Sequence, residues 1–224
     1  MLTDKRSFDE FQDGLRKRLL PYLRRAFHQI PLISKPQILD IGCGSGVPTL
    51  ELVRLSGGEV TAIDIDSEAL QRLEAKTQEA KLGDRVHILK KSLKRMDFPD
   101  ARFDILWSEG SIFVIGFKSG LKAWKRFLKP SGYLVVHDAV GNLDQKRLHA
   151  ASCGYQLVDW FILGDEVWWH EYYEPLTKCI QKSRQQTLRN TGLLTALSQA
   201  EREICGYQKH PERYRSVYFI MRKE

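Results

Sequence analysis

The chain carries a glycine-rich turn directly after a mostly apolar segment, and a second apolar segment that ends in an acid. Residues 38–41 lead into Gly42-Cys43-Gly44-Ser45-Gly46, and residues 60–63 lead into Asp64. Glycines at alternate positions permit backbone conformations and close ligand approaches that a Cβ atom would forbid. A carboxylate at a strand end can accept hydrogen bonds from both hydroxyls of a ribose. Together these residues predict a ligand site.

The order of the glycines separates two classes of site. A dinucleotide site opens with GxGxxG and seats a pyrophosphate on a helix N-terminus, whereas Gly42, Gly44 and Gly46 follow GxGxG. This spacing argues against NAD. In the alternative interpretation, Asp64 only caps the helix that begins near Ser67, and the glycines form an ordinary strand-to-helix turn.

After Pro36, segments with the apolar pattern of strands alternate with segments whose apolar residues have helical spacing. This order predicts a parallel sheet with crossover helices. Strands are predicted at 37–41, 60–64, 86–89, 103–107 and 133–137, and helices at 48–55, 67–80 and 117–128. Glycines and Pro130-Ser131-Gly132 mark predicted helix ends and turns. An amphipathic helix is predicted from Phe8 to about Ile30, kinked or split by Pro21. Beyond Gly141 we predict helices at 144–152, 167–190 and 193–204, and strands at 157–163 and 216–222.

Ligands of open parallel sheets bind outside the carboxyl ends of the strands. The residues predicted at this edge are Gly42 to Gly46, Asp64-Ile65, Ser92-Leu93, Trp107-Ser108-Glu109 and His137-Asp138.

Three stretches resemble motifs of class I S-adenosylmethionine (AdoMet)-dependent methyltransferases. They are the glycine turn, the "FD" of Phe103-Asp104 that opens a strand, and Leu128-Lys129-Pro130-Ser131-Gly132, which is similar to the family's "LKPGG". The resemblance covers residues 37–140 and is closest to stand-alone small-molecule enzymes of prokaryotes. It implies an α/β, Rossmann-like fold with a mostly parallel seven-stranded sheet and helices on both faces.

The resemblance also implies a division of the chain. A single methyltransferase domain would span 1–224, with an N-terminal helical cap at 1–36 and an AdoMet-binding core at 37–141. Residues 142–224 would supply substrate-lid helices, inserted before the last strand.

The cofactor residues follow from the resemblance as well. Asp64 would hold the ribose and Ile65 would lie along the adenine, while Asp40, Gly42, Gly44 and Gly46 surround the methionine part. Ser92 and Leu93 occupy the adenine position, where the family often has an acid, and Trp107 completes the predicted set. The product would be S-adenosylhomocysteine.

The catalytic candidates are Glu109, His170 and Tyr172. Glu109 follows the fourth strand and is predicted to contact the acceptor or the methionine amino group, with a surface or helix-capping carboxylate as the alternative. His170 and Tyr172 are predicted bases in the aromatic segment 168–173. We expect this segment to act as a lid around an apolar or cationic acceptor. Half of its aromatic side chains should instead pack in the core. No metal site is predicted, because His137 and Asp138 lack a third ligand.

Composition limits the remaining choices. The chain has 224 residues and a net charge of +7, with eight Lys and Arg against four Asp and Glu in residues 1–36. It lacks ~18 consecutive apolar residues, a secretory signal and paired cysteines, so we expect a cytoplasmic protein with no membrane segment.

We therefore predict an AdoMet-dependent methyltransferase, monomeric or homodimeric, that acts on a small molecule and not on nucleic acid. Two alternatives remain. One is methylation of RNA or another macromolecule, suggested by Lys90-Lys91 and Lys94-Arg95. The other is AdoMet binding without turnover.

Overall fold

A computed structural model describes residues 2–184 and 191–224 of the chain. These residues fall into two compact units. The sheet unit comprises Tyr22–Ile162 and Val217–Glu224, and the helical unit comprises Met1–Pro21 and Leu163–Ser216.

The β-strands form one seven-stranded sheet with the order β3-β2-β1-β4-β5-β7-β6. Their bounds are Gln37–Ile41 (β1), Glu59–Asp64 (β2), Val86–Lys90 (β3), Phe103–Glu109 (β4), Leu128–Ala139 (β5), Tyr155–Leu163 (β6) and Ser216–Lys223 (β7). The pairs β1–β2, β2–β3, β1–β4 and β4–β5 are parallel. The strand order reverses on either side of β1, which places a crevice at the carboxyl ends of β1 and β4. The predicted mostly parallel, seven-stranded architecture is confirmed.

The α-helices follow the strands in the alternating order that the sequence predicts. Their bounds are Lys5–Arg18 (α1), Leu20–Phe27 (α2), Val47–Ser56 (α3), Ser67–Glu79 (α4), Phe117–Trp124 (α5), Leu143–Ser152 (α6), Asp165–Trp168 (α7), Glu174–Arg184 (α8) and Thr191–Lys209 (α9).

The core of the sheet unit is formed by strands that are apolar on both faces. Ile38, Leu39 and Ile41 of β1 have no exposed surface, as expected for a parallel strand covered on each side. Trp107 of β4 and Trp124 of α5 are also fully buried. This packing fixes the carboxyl ends of β1 and β4.

The helical unit has its own core. A π-helical turn at Trp169–Tyr173 connects α7 to α8. Tyr173 stacks on Tyr207 of α9 with 4.5 Å between ring centroids, and both side chains are buried with Leu176 and Leu197.

Several predicted element bounds differ from the structure, and three of the differences have a clear physical cause. The helix predicted over 8–30 begins at Lys5 and ends at Phe27, and it is split near Pro21, one of the two predicted outcomes. α1 ends at Arg18, and Pro21 lies in the first turn of α2, where its missing N–H costs no helical hydrogen bond. The helix predicted over 117–128 ends at Trp124 and a 3₁₀ turn follows.

The third difference concerns β5. Pro130-Ser131-Gly132 was predicted as a turn, but β5 already begins at Leu128. Ser131 has a φ of 59°, and the pairing with β4 shifts register between Phe103 and Ile105. The turn residues therefore produce a bulge within a long strand. Of the helix predicted over 167–190, residues 185–190 lie outside the described part of the chain.

Candidate functional site

The glycine turn joins β1 to α3 at the crevice of the sheet. The N–H groups of Gly42 and Cys43 donate to the Ile63 carbonyl at 2.9 and 3.0 Å, so the turn folds back over the end of β2. Gly42 and Gly46 have φ values of 76° and 78°. These are left-handed conformations that favour glycine.

The three glycines are required for different reasons. A Cβ on Gly42 would lie 2.5 Å from the Ser111 Cβ, and one on Gly46 would lie 2.1 Å from a methyl of Leu73. Gly44, with a φ of 52°, has no heavy atom within 4 Å of the position its Cβ would take. Gly42 and Gly46 thus allow close packing, whereas Gly44 leaves open space at the crevice.

Asp64 fastens the turn to β2. Its Oδ2 accepts a hydrogen bond from the Gly44 N–H at 2.8 Å, and its Oδ1 accepts from the N–H groups of Ile65 and Asp66 at 2.7 and 3.0 Å. The helix N-cap is the next acid, Asp66, which accepts from Glu68 and Ala69. The capping interpretation of Asp64 is therefore wrong: it holds the glycine turn instead.

Asp40 is a buried carboxyl beneath the turn. It is 2% exposed and accepts a hydrogen bond from Thr49 Oγ1 at 2.6 Å. Burial, together with the negative charges of Glu109 and Asp64, raises its pKa to about 7 in spite of the Thr49 hydrogen bond. Three carboxyl groups thus act on one another at the ends of β1, β2 and β4.

Glu109 is held from several sides. The Trp107 indole Nε1–H donates to its Oε1 at 2.8 Å, and the Tyr218 hydroxyl also hydrogen-bonds to its carboxylate. The His137 Nδ1 lies 3.8 Å from Oε2. About a fifth of the Glu109 side chain remains exposed, so the carboxylate is positioned and still accessible.

Aromatic rings support this carboxylate. Tyr218 stacks on His137 with centroids 4.0 Å apart and on Phe161 at 5.1 Å. Burial, followed by the charge of Glu109, raises the pKa of the Tyr218 hydroxyl well above its usual value. The hydroxyl therefore remains a hydrogen-bond donor at neutral pH.

Trp107 has no exposed surface. The sequence predicts that it contacts the cofactor directly, but a fully buried indole reaches the crevice only through its hydrogen bond to Glu109. Its function in this structure is to position that carboxylate.

The predicted adenine-contacting residues differ in exposure. Ile65 is 65% exposed, which leaves its side chain free to contact a planar ring. Ser92 and Leu93 are partly buried, and Ser92 Oγ accepts from the Lys94 N–H at 3.2 Å.

His137 and Asp138 are both buried. Asp138 pairs with Lys146 at 2.6 Å, so its charge is already compensated. Over residues 2–184 and 191–224, no group of three His, Cys, Asp or Glu side chains is arranged to hold a metal ion.

The predicted bases His170 and Tyr172 belong to the helical unit. His170 is exposed and lies 3.7 Å from Glu174. Tyr172 is buried and accepts from Gln12 Nε2 at 3.2 Å, and burial raises the pKa of its hydroxyl. A raised pKa keeps the proton on the phenol, which argues against the predicted role of Tyr172 as a base. Trp169 and Tyr173 pack in the core of this unit.

Sequence reasoning missed Ser111 and Thr49. Ser111 Oγ donates to the Ile41 carbonyl at 2.6 Å and lies 2.8 Å from Ser108 Oγ, which ties the end of β4 to the end of β1. No motif identifies either residue. Only its position in the chain could have indicated Ser111, because this residue follows the strand that ends at the crevice.

Residues 38–132 match a protein family described as a methyltransferase domain. The sterol 24-C-methyltransferase of Eremothecium gossypii is 31% identical over 114 residues, which cover 50% of this chain and 31% of that protein. The chain spans between about a third and a half of the length of the curated relatives that it matches.

Two solved structures share the fold over nearly the whole chain. A putative sarcosine dimethylglycine methyltransferase from Galdieria sulphuraria superimposes with a TM-score of 0.73 at 18% identity, covering 94% of this chain and 86% of that one. The [4+2]-cyclase SpnF superimposes with a TM-score of 0.74 at 19% identity, covering 92% and 81%. At these identities the likeness establishes the fold. No helix in the described part of the chain is long and apolar enough to cross a membrane.

Proposed function

We propose that this chain, which belongs to the class I AdoMet-dependent methyltransferases, binds AdoMet at the glycine turn and transfers its methyl group to a small molecule. The observation that carries the proposal is the group of three carboxyl groups around the turn, Asp40, Asp64 and Glu109. Burial, and after it repulsion by Glu109 and Asp64, raises the pKa of Asp40, so the site gains stability from a cationic ligand.

The charge of the site discriminates between nucleotide ligands. A sulfonium and an ammonium group are cations that these carboxylates attract, whereas a dinucleotide pyrophosphate would be repelled by them. The open space at Gly44 gives room for a ligand close to the backbone. These features fit AdoMet and oppose NAD.

Each part of the ligand would contact a different set of residues. Asp64 would hold the ribose with the carboxylate that also fastens Gly44, and Ile65 would lie along the adenine with Ser92 and Leu93. Asp40 and Glu109 would face the methionine part. Bound AdoMet supplies an electrophilic methyl group on sulfur.

The chain itself contributes alignment and charge. Trp107 and Tyr218 fix the Glu109 carboxylate, and its exposed part is available to orient a cation or to accept a proton from an acceptor group. Alignment of reacting groups is worth ~7–11 kcal/mol in well-oriented systems, so a fixed carboxylate is useful even without proton transfer.

Calorimetry on the purified protein tests the proposal. We expect AdoMet and S-adenosylhomocysteine to bind with micromolar affinity and NAD not to bind. Incubation with methyl-labelled AdoMet and a fractionated small-molecule extract should then give labelled product and S-adenosylhomocysteine. Tighter binding of NAD than of AdoMet would refute the assignment.

AdoMet binding without methyl transfer is the second candidate. It is favoured by the structural similarity to SpnF, which is a [4+2]-cyclase. Binding of AdoMet with no S-adenosylhomocysteine formed from any fraction would select it. RNA methylation remains an alternative, although Lys91 is already paired with Asp97.

Other sequence-based assignments remain predictions. These are the single domain over 1–224, the cytoplasmic location, the monomeric or homodimeric state and the role of the aromatic segment in acceptor recognition.

A further inference from the structure

Glu109 carries its negative charge without a lysine or arginine partner. Among the residues that the structure describes, no lysine or arginine forms an ion pair with this carboxylate. By contrast, Asp138 on the adjacent strand is paired with Lys146 at 2.6 Å. The His137 Nδ1 lies 3.8 Å from Glu109 Oε2, which is longer than a hydrogen bond. The charge at the end of β4 is therefore open to compensation by a cationic ligand.

Two uncharged donors hold the Glu109 carboxylate and leave part of it open. The Trp107 indole N–H donates to Oε1 at 2.8 Å, and the Tyr218 hydroxyl also donates to the carboxylate. An ionised carboxyl group offers about four lone-pair positions, so it can accept further hydrogen bonds. About a fifth of the side chain is exposed. A ligand that covers this part has to donate hydrogen bonds in place of water.

The Tyr218 donor is fixed by stacked rings. Its own ring is 1% exposed and lies almost parallel to the His137 ring, with 4.0 Å between centroids. On its other contact, Tyr218 stacks on Phe161 at 5.1 Å, and the Arg25 guanidinium lies 3.9 Å from the centroid of Phe161. The phenol therefore holds Glu109 in one orientation.

Glu109 is also the carboxylate that a second ligand can reach. Asp40 is 2% exposed beneath the glycine turn. The oxygens of Asp64 already accept three backbone N–H groups, and this carboxylate is assigned to the ribose. A methyl acceptor that enters the crevice from solvent therefore meets Glu109.

The direction of charge movement in methyl transfer selects the kind of acceptor. The positive charge leaves the sulfonium and develops on the attacking atom, and a fixed carboxylate stabilises it there. An anionic oxygen or sulfur acceptor would be repelled by Glu109. A carbon acceptor without an N–H or O–H group would cover the carboxylate without donating to it. A hydroxyl would neutralise Glu109 by giving it a proton, although the two donors favour the anion.

We propose that the methyl acceptor is a primary or secondary amine whose nitrogen lies against the Glu109 carboxylate. This inference rests on the proposed function, because AdoMet is the methyl donor. The ammonium form of the acceptor releases one proton to solvent. Its lone pair then forms the N–C bond while the C–S bond breaks and leaves its electron pair on sulfur. The products are an N-methylammonium ion and S-adenosylhomocysteine. Glu109 is the catalytic residue, and Tyr218 is a positioning residue.

The chemical class of the product tests the inference on the unaltered protein. The protein is incubated with AdoMet labelled with ¹³C in its methyl group and with a fractionated small-molecule extract. The ¹³C shift of the transferred methyl identifies the atom that carries it. We expect a methyl group on nitrogen. We also expect no product when the extract is first treated with acetic anhydride and then with hydroxylamine, which leaves amines acylated and restores hydroxyls.

Failure of this inference is distinguishable from failure of the proposed function. A methyl group on oxygen, sulfur or carbon, or a product that survives acylation, would overturn the amine acceptor and leave the methyltransferase assignment intact. AdoMet binding in calorimetry with no transfer to any fraction would overturn both the amine and the transfer. No AdoMet binding would refute the proposed function itself.

A variant of the carboxylate separates the acceptor from the methionine ammonium group. Glu109→Gln should lower kcat/KM for the active fraction by at least about ten-fold, because it removes a charged hydrogen-bond acceptor, and it should leave AdoMet affinity almost unchanged. Glu59→Gln is the matched control, since Glu59 lies 3.1 Å from His87 at the amino end of β2; both readouts should keep their wild-type values. A large loss of AdoMet affinity in Glu109→Gln alone would place the methionine ammonium group on this carboxylate and overturn the inference.

Tyr218→Phe tests the positioning role, since it keeps the stacked ring and removes the hydroxyl. We expect kcat and kcat/KM to fall together by about ten-fold, as for an interaction that is needed in the transition state. The melting temperature and the AdoMet affinity should change little. A wild-type kcat, or a rise in KM with kcat unchanged, would overturn the positioning role of Tyr218.

Discussion

Replacement of the buried Asp40 carboxyl by an amide tests the charge argument at its centre. Asp40→Asn keeps an oxygen that can accept the Thr49 hydrogen bond and removes the ionisation. The pKa of Asp40 is 3.8 in an unperturbed carboxyl and about 7 in the folded protein. The folded state therefore binds this proton more tightly than the unfolded state.

The sign and size of the effect follow from linkage. The contribution of the Asp40 proton to stability is complete below about pH 4 and is lost as the pH rises through about 7. At 1.36 kcal/mol per pKa unit, the loss is on the order of 4 kcal/mol. Relative to the wild type, Asp40→Asn should therefore become more stable by about that amount between pH 4 and pH 8.

Urea unfolding of both proteins across this pH range measures the difference. Asp97→Asn is a matched control, since Asp97 is an exposed carboxyl with a lowered pKa and its effect should not change above pH 5. Parallel stability profiles for wild type and Asp40→Asn would show that burial and the neighbouring carboxylates do not raise the pKa of Asp40, and the argument from repulsion between these carboxyl groups would fail.

The remaining predictions address the turn and the helical unit. Asp64→Ala should lower the free energies of AdoMet binding and of unfolding by roughly 1.5–3 kcal/mol each, because it removes charged acceptors. A variant with the AdoMet affinity and melting temperature of the wild type would contradict this. Gly44→Ala should lower the free energy of unfolding by about 1–2 kcal/mol because of its left-handed backbone, and Gly42→Ala should lower it more because its Cβ also meets Ser111. Equal melting temperatures of these two variants would refute the packing argument. Tyr173→Ala should destabilise the fold by ~3–5 kcal/mol as a core truncation. His170→Ala should change stability by no more than about 0.5 kcal/mol, so that lost methyl transfer in this folded variant would support it as a base and unchanged transfer would reject it.

The sequence predicts strands and the crevice well because their signals are local. The apolar runs that end at Ile41 and Asp64 specify buried parallel strands, and the glycine spacing specifies the turn between them. These features require no knowledge of distant residues.

The parts that escaped prediction depend on contacts between distant segments. Whether Trp107 faces the crevice or the core is decided by Tyr218 and Phe27, which pack against it from far along the chain. The burial of Tyr172 depends on α1 and α9 in the same way. Alternation of residue types within a short window contains no information on such partners.

The early start of β5 illustrates a different limit. Proline, serine and glycine in succession usually mark a turn, but here Phe103 pairs with Leu128 before the bulge. Pairing with a neighbouring strand overrides the local preference of these three residues.

The place of β7 in the sheet has a consequence for how the chain acquires its structure during synthesis. β7 lies between β5 and β6, although it follows both in the chain, and its residues Val217 to Met221 are almost completely buried. Until these residues leave the ribosome, β5 and β6 have no partner between them and present open backbone edges, which are prone to associate with other chains. The described sheet is therefore completed by the strand that is made after the other six, and we expect the yield of folded protein to fall when the preceding strands remain exposed for longer.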